Sequence, residues 1–174
     1  MIYLLFTSLI PAAFTCSTLS TYWSDEIRPY ASLIERHACY WRLPADFAAA
    51  HMWAESRARW WVVGESGEIG LYQIMPADNF TRPELSIAGR PSALELFDPV
   101  NNIAFAVHYM AGCRTRTRQS GAENLYDAAR CFNRPGLVLV DPQAGQAYSQ
   151  NIMGMYARAL CARGAGCQRS TTPR

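Results

Sequence analysis

Apolar residues recur at intervals of three and four along most of this chain, the spacing of one buried helix face. The first such stretch, "SDEIRPYASLIERHACYW", opens with Ser24, a residue whose side chain favours an N-cap, followed by acids in the first turn. It predicts a helix from Ser24 to about Tyr40. After a break at Leu43 and Pro44, "LPADFAAAHMWAESRA" predicts a second, because proline is tolerated at a helix start and alanine favours propagation. Residues 60–90 hold most of the Gly, Ser and Pro punctuation and no sustained period, which predicts irregular chain with short turns. "FDPVNNIAFAVHYMAGCRTR" predicts a third helix, with Asp98 as N-cap, Pro99 in the first helical position and Ile103, Val107 and Met110 on one face. "AENLYDAARCFN" predicts a shorter helix ended by "RPG", and "DPQAGQAYSQNIMGMYARALC" a last one opening at Asp141 and Pro142. No strand pattern competes, so the expected fold is mainly α.

The length of 174 residues fits one domain with a real core. Sixteen basic and 14 acidic residues give a net charge of +2, which supplies no case for nucleic-acid binding. The run "RTRTR" at Arg114 to Arg118 is the local exception, readable as a solvated helix end favoured by the dipole or as a contact for an anionic surface.

The N-terminal "MIYLLFTSLIPAAFTCSTLS" carries an apolar run of the length of a signal-peptide core, too short to span a bilayer unaided. Residues 1–18 are read as a signal peptide with cleavage near Ala13 to Ser17, which makes the protein exported and periplasmic. A retained anchor and a lipoprotein modified at Cys16 are the weaker alternatives. Residues 22–162 then form the domain and 163–174 a C-terminal tail. Six cysteines, at 16, 39, 113, 131, 161 and 167, agree with an oxidising compartment. Many pairings are open; Cys161 with Cys167 and Cys113 with Cys131 are favoured, and loss of Cys16 by processing leaves Cys39 without an obvious partner. No cysteine pair has zinc or redox spacing, and His37 and His108 lack nearby ligand partners, so no metal and no cofactor are expected.

Chemistry concentrates in "AESRARWWVVGESGEIGLYQIMP", residues 54–76, where Glu55, Glu65 and Glu68 stand close in sequence. Glu55 and Ser56, then Gly67, Gly70, Leu71 and Gln73 reproduce the pattern "ES, ten residues, G, two residues, GLxQ". At about 7% usage each, six such positions coincide by chance on the order of once in ten million registers. The pattern resembles the soluble lytic transglycosylase domain, a lysozyme-like family. Downstream, "FDPVNNIAFAVHYM" looks like the family's "DPxxNI" helix, "DAARCFNRPG" like its "AxAYNxG" segment, and "AYSQNIMGMYARAL" like its closing "YVxxVxxxY" helix, so that the resemblance spans about residues 25–160. It implies a lysozyme-like single domain in which the irregular segment lines a glycan groove. Two positions depart from the pattern. Phe132 stands where the family usually has Tyr, removing a hydroxyl that helps orient the catalytic carboxyl, and "RPG" shifts the segment after Asn133.

The resemblance implies cleavage of the bond between N-acetylmuramic acid and N-acetylglucosamine in peptidoglycan, with one acid, no second carboxyl and a 1,6-anhydro product. Such an acid must keep its proton near neutral pH, which a carboxyl does when apolar neighbours desolvate it. Glu55, after Met52, Trp53 and Ala54 and before Trp60 and Trp61, is the glutamate so placed; a surface ion pair with Arg59 is the plain alternative. Glu65 and Glu68, between glycines, read as solvated loop carboxylates, though Glu68 stands near enough in the motif to touch substrate. The substrate-binding residues implied are Ser56, Gly70, Leu71, Tyr72, Gln73, Phe132 and Asn133. Ser56 either holds the carboxyl or a substrate group or bonds back to its own backbone, and Trp60, Trp61 and Tyr72 are the aromatics available for stacking on sugar. His51, one turn before Glu55, reads as a packed and satisfied histidine. A hydrolase on the same frame would need a second carboxyl, for which Glu68 and Asp78 are nearest; a non-catalytic wall-binding component is the third reading. Glycan strands are the expected partner; wall turnover, a secretion or conjugation apparatus and a phage are the contexts open to an exported wall-cleaving domain, of which a transenvelope apparatus best suits its small size.

Overall fold

The computed structural model describes residues 14–119, 124–134, 141 and 143–164. Its framework is six helices: α1 (Ala31–Tyr40), α2 (Ala45–Ser56), α3 (Ala93–Leu96), α4 (Pro99–Gln119), α5 (Leu125–Asn133) and α6 (Gln146–Ala162). Among the described residues there is no strand, only the isolated antiparallel bridges Val63 to Ile69 and Ile69 to Ile74. The mainly α expectation holds.

The centre is α2. Residues 45–52 are all buried, Phe47, Ala48, Ala49, Ala50 and Met52 completely. A helix apolar on every side belongs inside the core, and its alanines let α1 and α6 pack close against it. Around it α4 packs on α1 and α5, and α5 on α6. The disulfide Cys113–Cys131 joins α4 to α5 as the sequence suggested.

Two helices begin later than their cap signals predict. Pro29 lacks an N–H and its ring crowds the carbonyl four residues back, so the chain from Ser24 makes turns and a short 3-10 segment, Arg28–Tyr30, before α1 starts at Ala31. At the other end Asp141 caps only a turn, its Oδ1 accepting from Gln143 N at 2.8 Å. Arg130 pins that turn by donating to the carbonyls of Asp141 and Ala144. Gly145 then takes φ 72° before α6, and a Cβ there would stand 3.1 Å from the Arg130 backbone. The start at Asp98 is as expected: its side chain accepts from Val100 N, and α4 begins at Pro99.

At the N-terminal edge, bonds reach residues that precede position 22. Cys16 is bonded to Cys39, Ser17 Oγ accepts from Ala45 N, Leu19 N donates to Glu35, and Ser20 N and Trp23 Nε1 both donate to the buried carboxylate of Asp46. Arg163 pairs with the same carboxylate at 2.7 Å. The bonded body thus includes residues on both sides of the expected 22–162 span, and Cys39 has the partner that the sequence left open. Cys161 is also disulfide-bonded; the expected pairing with Cys167 lies outside the described residues, as does most of the apolar N-terminal run. Among the described residues no helix is long and apolar enough to cross a membrane. In the arginine run, Arg114 reaches back to the carbonyls of Arg42 and Trp41 and ties α4 to the end of α1, while Arg116 lies over the ring of Tyr109 on its own helix.

Candidate active site

Glu55 sits on the last turn of α2, and the chain leaves that turn abruptly. Arg57 and Ala58 both take left-handed conformations, φ 55° and 60°, which for residues with a Cβ costs on the order of 1 kcal/mol or more each. Ser56 holds the turn from inside. Its buried hydroxyl donates to Leu71 O at 2.8 Å and accepts from Arg59 N, while Arg59 Nε donates to Ser56 O. The sequence offered a role on carboxyl or substrate or a backbone bond for Ser56; the bonds found go to backbone, chiefly across to the glycine turn.

That turn, Gly70 to Gln73, is secured by the asparagine of the "DPxxNI" segment, a residue to which the sequence alone assigns no role. Asn102 on α4, fully buried, donates to Ile69 O and Leu96 O at 2.9 Å and accepts from Tyr72 N at 3.0 Å. Gly70 takes φ 75°, and a Cβ there would come within 2.6 Å of Asn102 Nδ2, so only glycine lets the turn close on the asparagine. Leu71 and Tyr72 are wholly buried, with Tyr72 Oη donating to Ala48 O. Tyr72 therefore offers no face for stacking. Gly70, Leu71, Tyr72 and Ser56 build the frame behind the site.

In front of that frame lies an open cavity of about 460 Å³. Of the predicted residues Glu55, Gln73, Phe132 and Asn133 line it, together with Glu65 and Glu68 from the irregular segment, Arg90, and Tyr109 of α4. Gln73 donates from Nε2 to Val62 O and Gly70 O. Arg90 lies 5.1 Å from the Tyr109 ring centre, a cation held on an aromatic face. Trp60 and Trp61, about half exposed, pack edge to face on each other and are not among the lining residues. Among the described residues no group of three or more His, Cys, Asp or Glu side chains could hold a metal ion.

Burial pushes the Glu55 carboxyl up to about 7, and the negative charge of Glu68 adds to the rise. Opposing both, Tyr148 on α6 donates to Glu55 Oε1 at 2.6 Å, a bond that favours the ionised form. A tyrosine hydroxyl thus reaches the carboxyl from α6, although Phe132 cannot supply one. Phe132 instead packs its ring at 4.8 Å from His51. His51 is fully buried and held neutral, its imidazole lowered to about 3 by desolvation. Its Nδ1 stands 2.8 Å from Tyr148 Oη. The expectation of a satisfied histidine is met on that nitrogen only, since Nε2 has no partner. The i, i+4 spacing of His51 and Glu55 was visible in sequence; that Tyr148, 93 positions further on, touches both was not.

A desolvated carboxyl on the wall of an open cavity in a helical frame is the arrangement by which lysozyme-like glycan-cleaving enzymes keep a general acid protonated near neutrality. The family profile described as Transglycosylase SLT domain matches residues 32–152, well over half of the chain, and the protein belongs to that family. Membership points to lytic-transglycosylase-type cleavage with peptidoglycan as substrate, a material outside the cytoplasm, which the disulfides fit. Among curated protein sequences none matches this one.

Proposed function

We propose that the protein is a lytic transglycosylase in which Glu55 serves first as general acid and then as general base on the bond between N-acetylmuramic acid and N-acetylglucosamine. The observation that carries the reading is the Glu55 carboxyl itself, raised to about 7 by burial where it meets the cavity. Its proton passes to the glycosidic oxygen as the bond from that oxygen to the muramoyl C1 breaks, leaving positive charge on the ring. The carboxylate so formed then removes the proton of the muramoyl C6 hydroxyl, whose oxygen closes on C1. The acid is regenerated, and the product carries a 1,6-anhydro end. Gln73, Asn133 and Phe132, on the same cavity wall, are the side chains we assign to binding the strand; Ser56, Gly70, Leu71 and Tyr72 support it from behind.

Hydrolysis on the same frame is the second reading, favoured by one fact: Glu68 lines the cavity with Glu55 and would be the carboxylate to activate a water. We also assign the protein to the periplasm, with the N-terminal apolar run as its export signal and cleavage upstream of Cys16, the version compatible with the Cys16–Cys39 bond. Service to a secretion or conjugation apparatus is the context we infer from its small size. Digestion of purified peptidoglycan by the wild type and by Glu55→Gln, with the new ends identified by mass, tests the chemistry. Anhydro ends that vanish in the variant support the first reading, reducing ends the second. No release by the wild type overturns both.

A further inference from the structure

Each polar atom of the chain His51, Tyr148, Glu55 has few partners, and that scarcity fixes where the protons sit. Tyr148 has one hydrogen and two neighbours, Glu55 Oε1 at 2.6 Å and His51 Nδ1 at 2.8 Å. If the hydroxyl donated to His51, Glu55 could bond to it only by placing its own acidic proton on Oε1, aimed into the protein. If His51 donates from Nδ1, the tyrosine hydrogen is committed to Oε1, and Oε2 is left to carry the acidic proton. The histidine environment distinguishes the two. Its ring is buried between Phe47 and Phe132, at 4.7 and 4.8 Å, and Nε2 has no partner. A hydrogen on Nε2 would be a buried donor without an acceptor, which folded proteins avoid more strictly than an unused lone pair.

We infer that His51 is a positioning residue for Glu55: its Nδ1–H donates to Tyr148 Oη, which locks that hydroxyl onto Oε1 and keeps the transferable proton on Oε2. The inference rests on the reading of Glu55 as the acid, but its first test does not need catalysis. Other groups facing Glu55 are Glu65, Glu68 and Arg90 from the irregular segment and Tyr109 from α4; Tyr72 faces Tyr148. None of them reaches His51 by a hydrogen bond.

Nitrogen-15 spectra of the wild-type protein labelled at histidine report the tautomer directly. The expected result is a hydrogen on Nδ1 of His51 across neutral pH, and a hydrogen on Nε2 overturns the inference. Carboxyl carbon-13 titration then follows Glu55. His51→Phe is expected to shift its midpoint upward by roughly half to one pH unit and lower kcat about tenfold with KM nearly unchanged. His51→Asn, whose amide nitrogen falls near the position of Nδ1, should restore most of both. In a Tyr148→Phe background, His51→Phe should move neither. Should His51→Phe lower only the melting temperature, or shift the midpoint equally with and without the tyrosine hydroxyl, His51 is packing alone. Should His51→Phe not fold, the spectra and His51→Asn decide. Failure of the Glu55 reading would appear separately, as wall digestion unaffected by Glu55→Gln.

Discussion

Replacing Glu55 by Gln should stabilise the protein above neutral pH while leaving it little changed in acid. In the unfolded chain the carboxyl titrates at its ordinary value of 4.5, and in the folded protein at about 7. Between those values the unfolded state has released a proton that the folded state still holds. Stability therefore falls as pH rises through the window, and is flat below and above it. Each tenfold separation of the two proton equilibria is worth about 1.4 kcal/mol, so ionised Glu55 costs the folded state about 3 kcal/mol by pH 8. Glutamine keeps the shape and the bond from Tyr148 but cannot ionise. The two proteins should unfold alike in urea near pH 4, and the variant should be more stable by about 3 kcal/mol at pH 8, or about 6 to 12 °C in melting temperature. The assay is a set of urea melts from pH 4 to 8 with disulfides intact. A difference that stays constant over this range would refute the claim that the carboxyl is desolvated, and the assignment of Glu55 as the acid would lose its physical basis.

Glu68→Gln removes a charge that raises the Glu55 carboxyl, so the alkaline limb of the activity profile should move to lower pH; an unmoved or raised limb would show that Glu68 does not raise the Glu55 carboxyl. Asn102→Ala strands the Tyr72 N–H and the Leu96 carbonyl and leaves Ile69 O only its bond from Ile74 N, and should cost about 2 to 4 kcal/mol in chemical denaturation, with activity lost alongside. Gly70→Ala places a Cβ at 2.6 Å from Asn102 Nδ2 at positive φ and should cost at least about 2 kcal/mol, measured in the same way. Opening Cys113–Cys131 by a double serine substitution should cost about 3 kcal/mol, and a melt unchanged by it would mean that α4 and α5 hold together without the link.

Helical class was legible because periodicity and the Asp98–Pro99 start reflect forces local to each segment. The late starts of α1 and α6 were not, since each turns on a contest inside one or two turns of chain: Pro29 against the Ser24 cap, and Arg130 with Gly145 against the Asp141 cap. Helix α3 carries its signal openly in Ser92 and Glu95, which cap it reciprocally, yet four residues give no period to notice. At the site, the desolvation of Glu55 was legible in its apolar neighbours. The division into four lining and four supporting residues was hidden, because Ser56, Gly70, Leu71 and Tyr72 acquire their roles only through Asn102 and the core. Tyr148 and His51 meet through a helix crossing that no local spacing encodes.

The bond from Cys16 to Cys39 has a practical consequence for any shortened version of the protein. A chain beginning at residue 19 would keep five of the six cysteines, an odd number, so at least one thiol would be left over in an oxidising medium. Cys39, partly exposed near the end of α1, would be free to couple to a second molecule, and such material would run as a covalent dimer on a non-reducing gel.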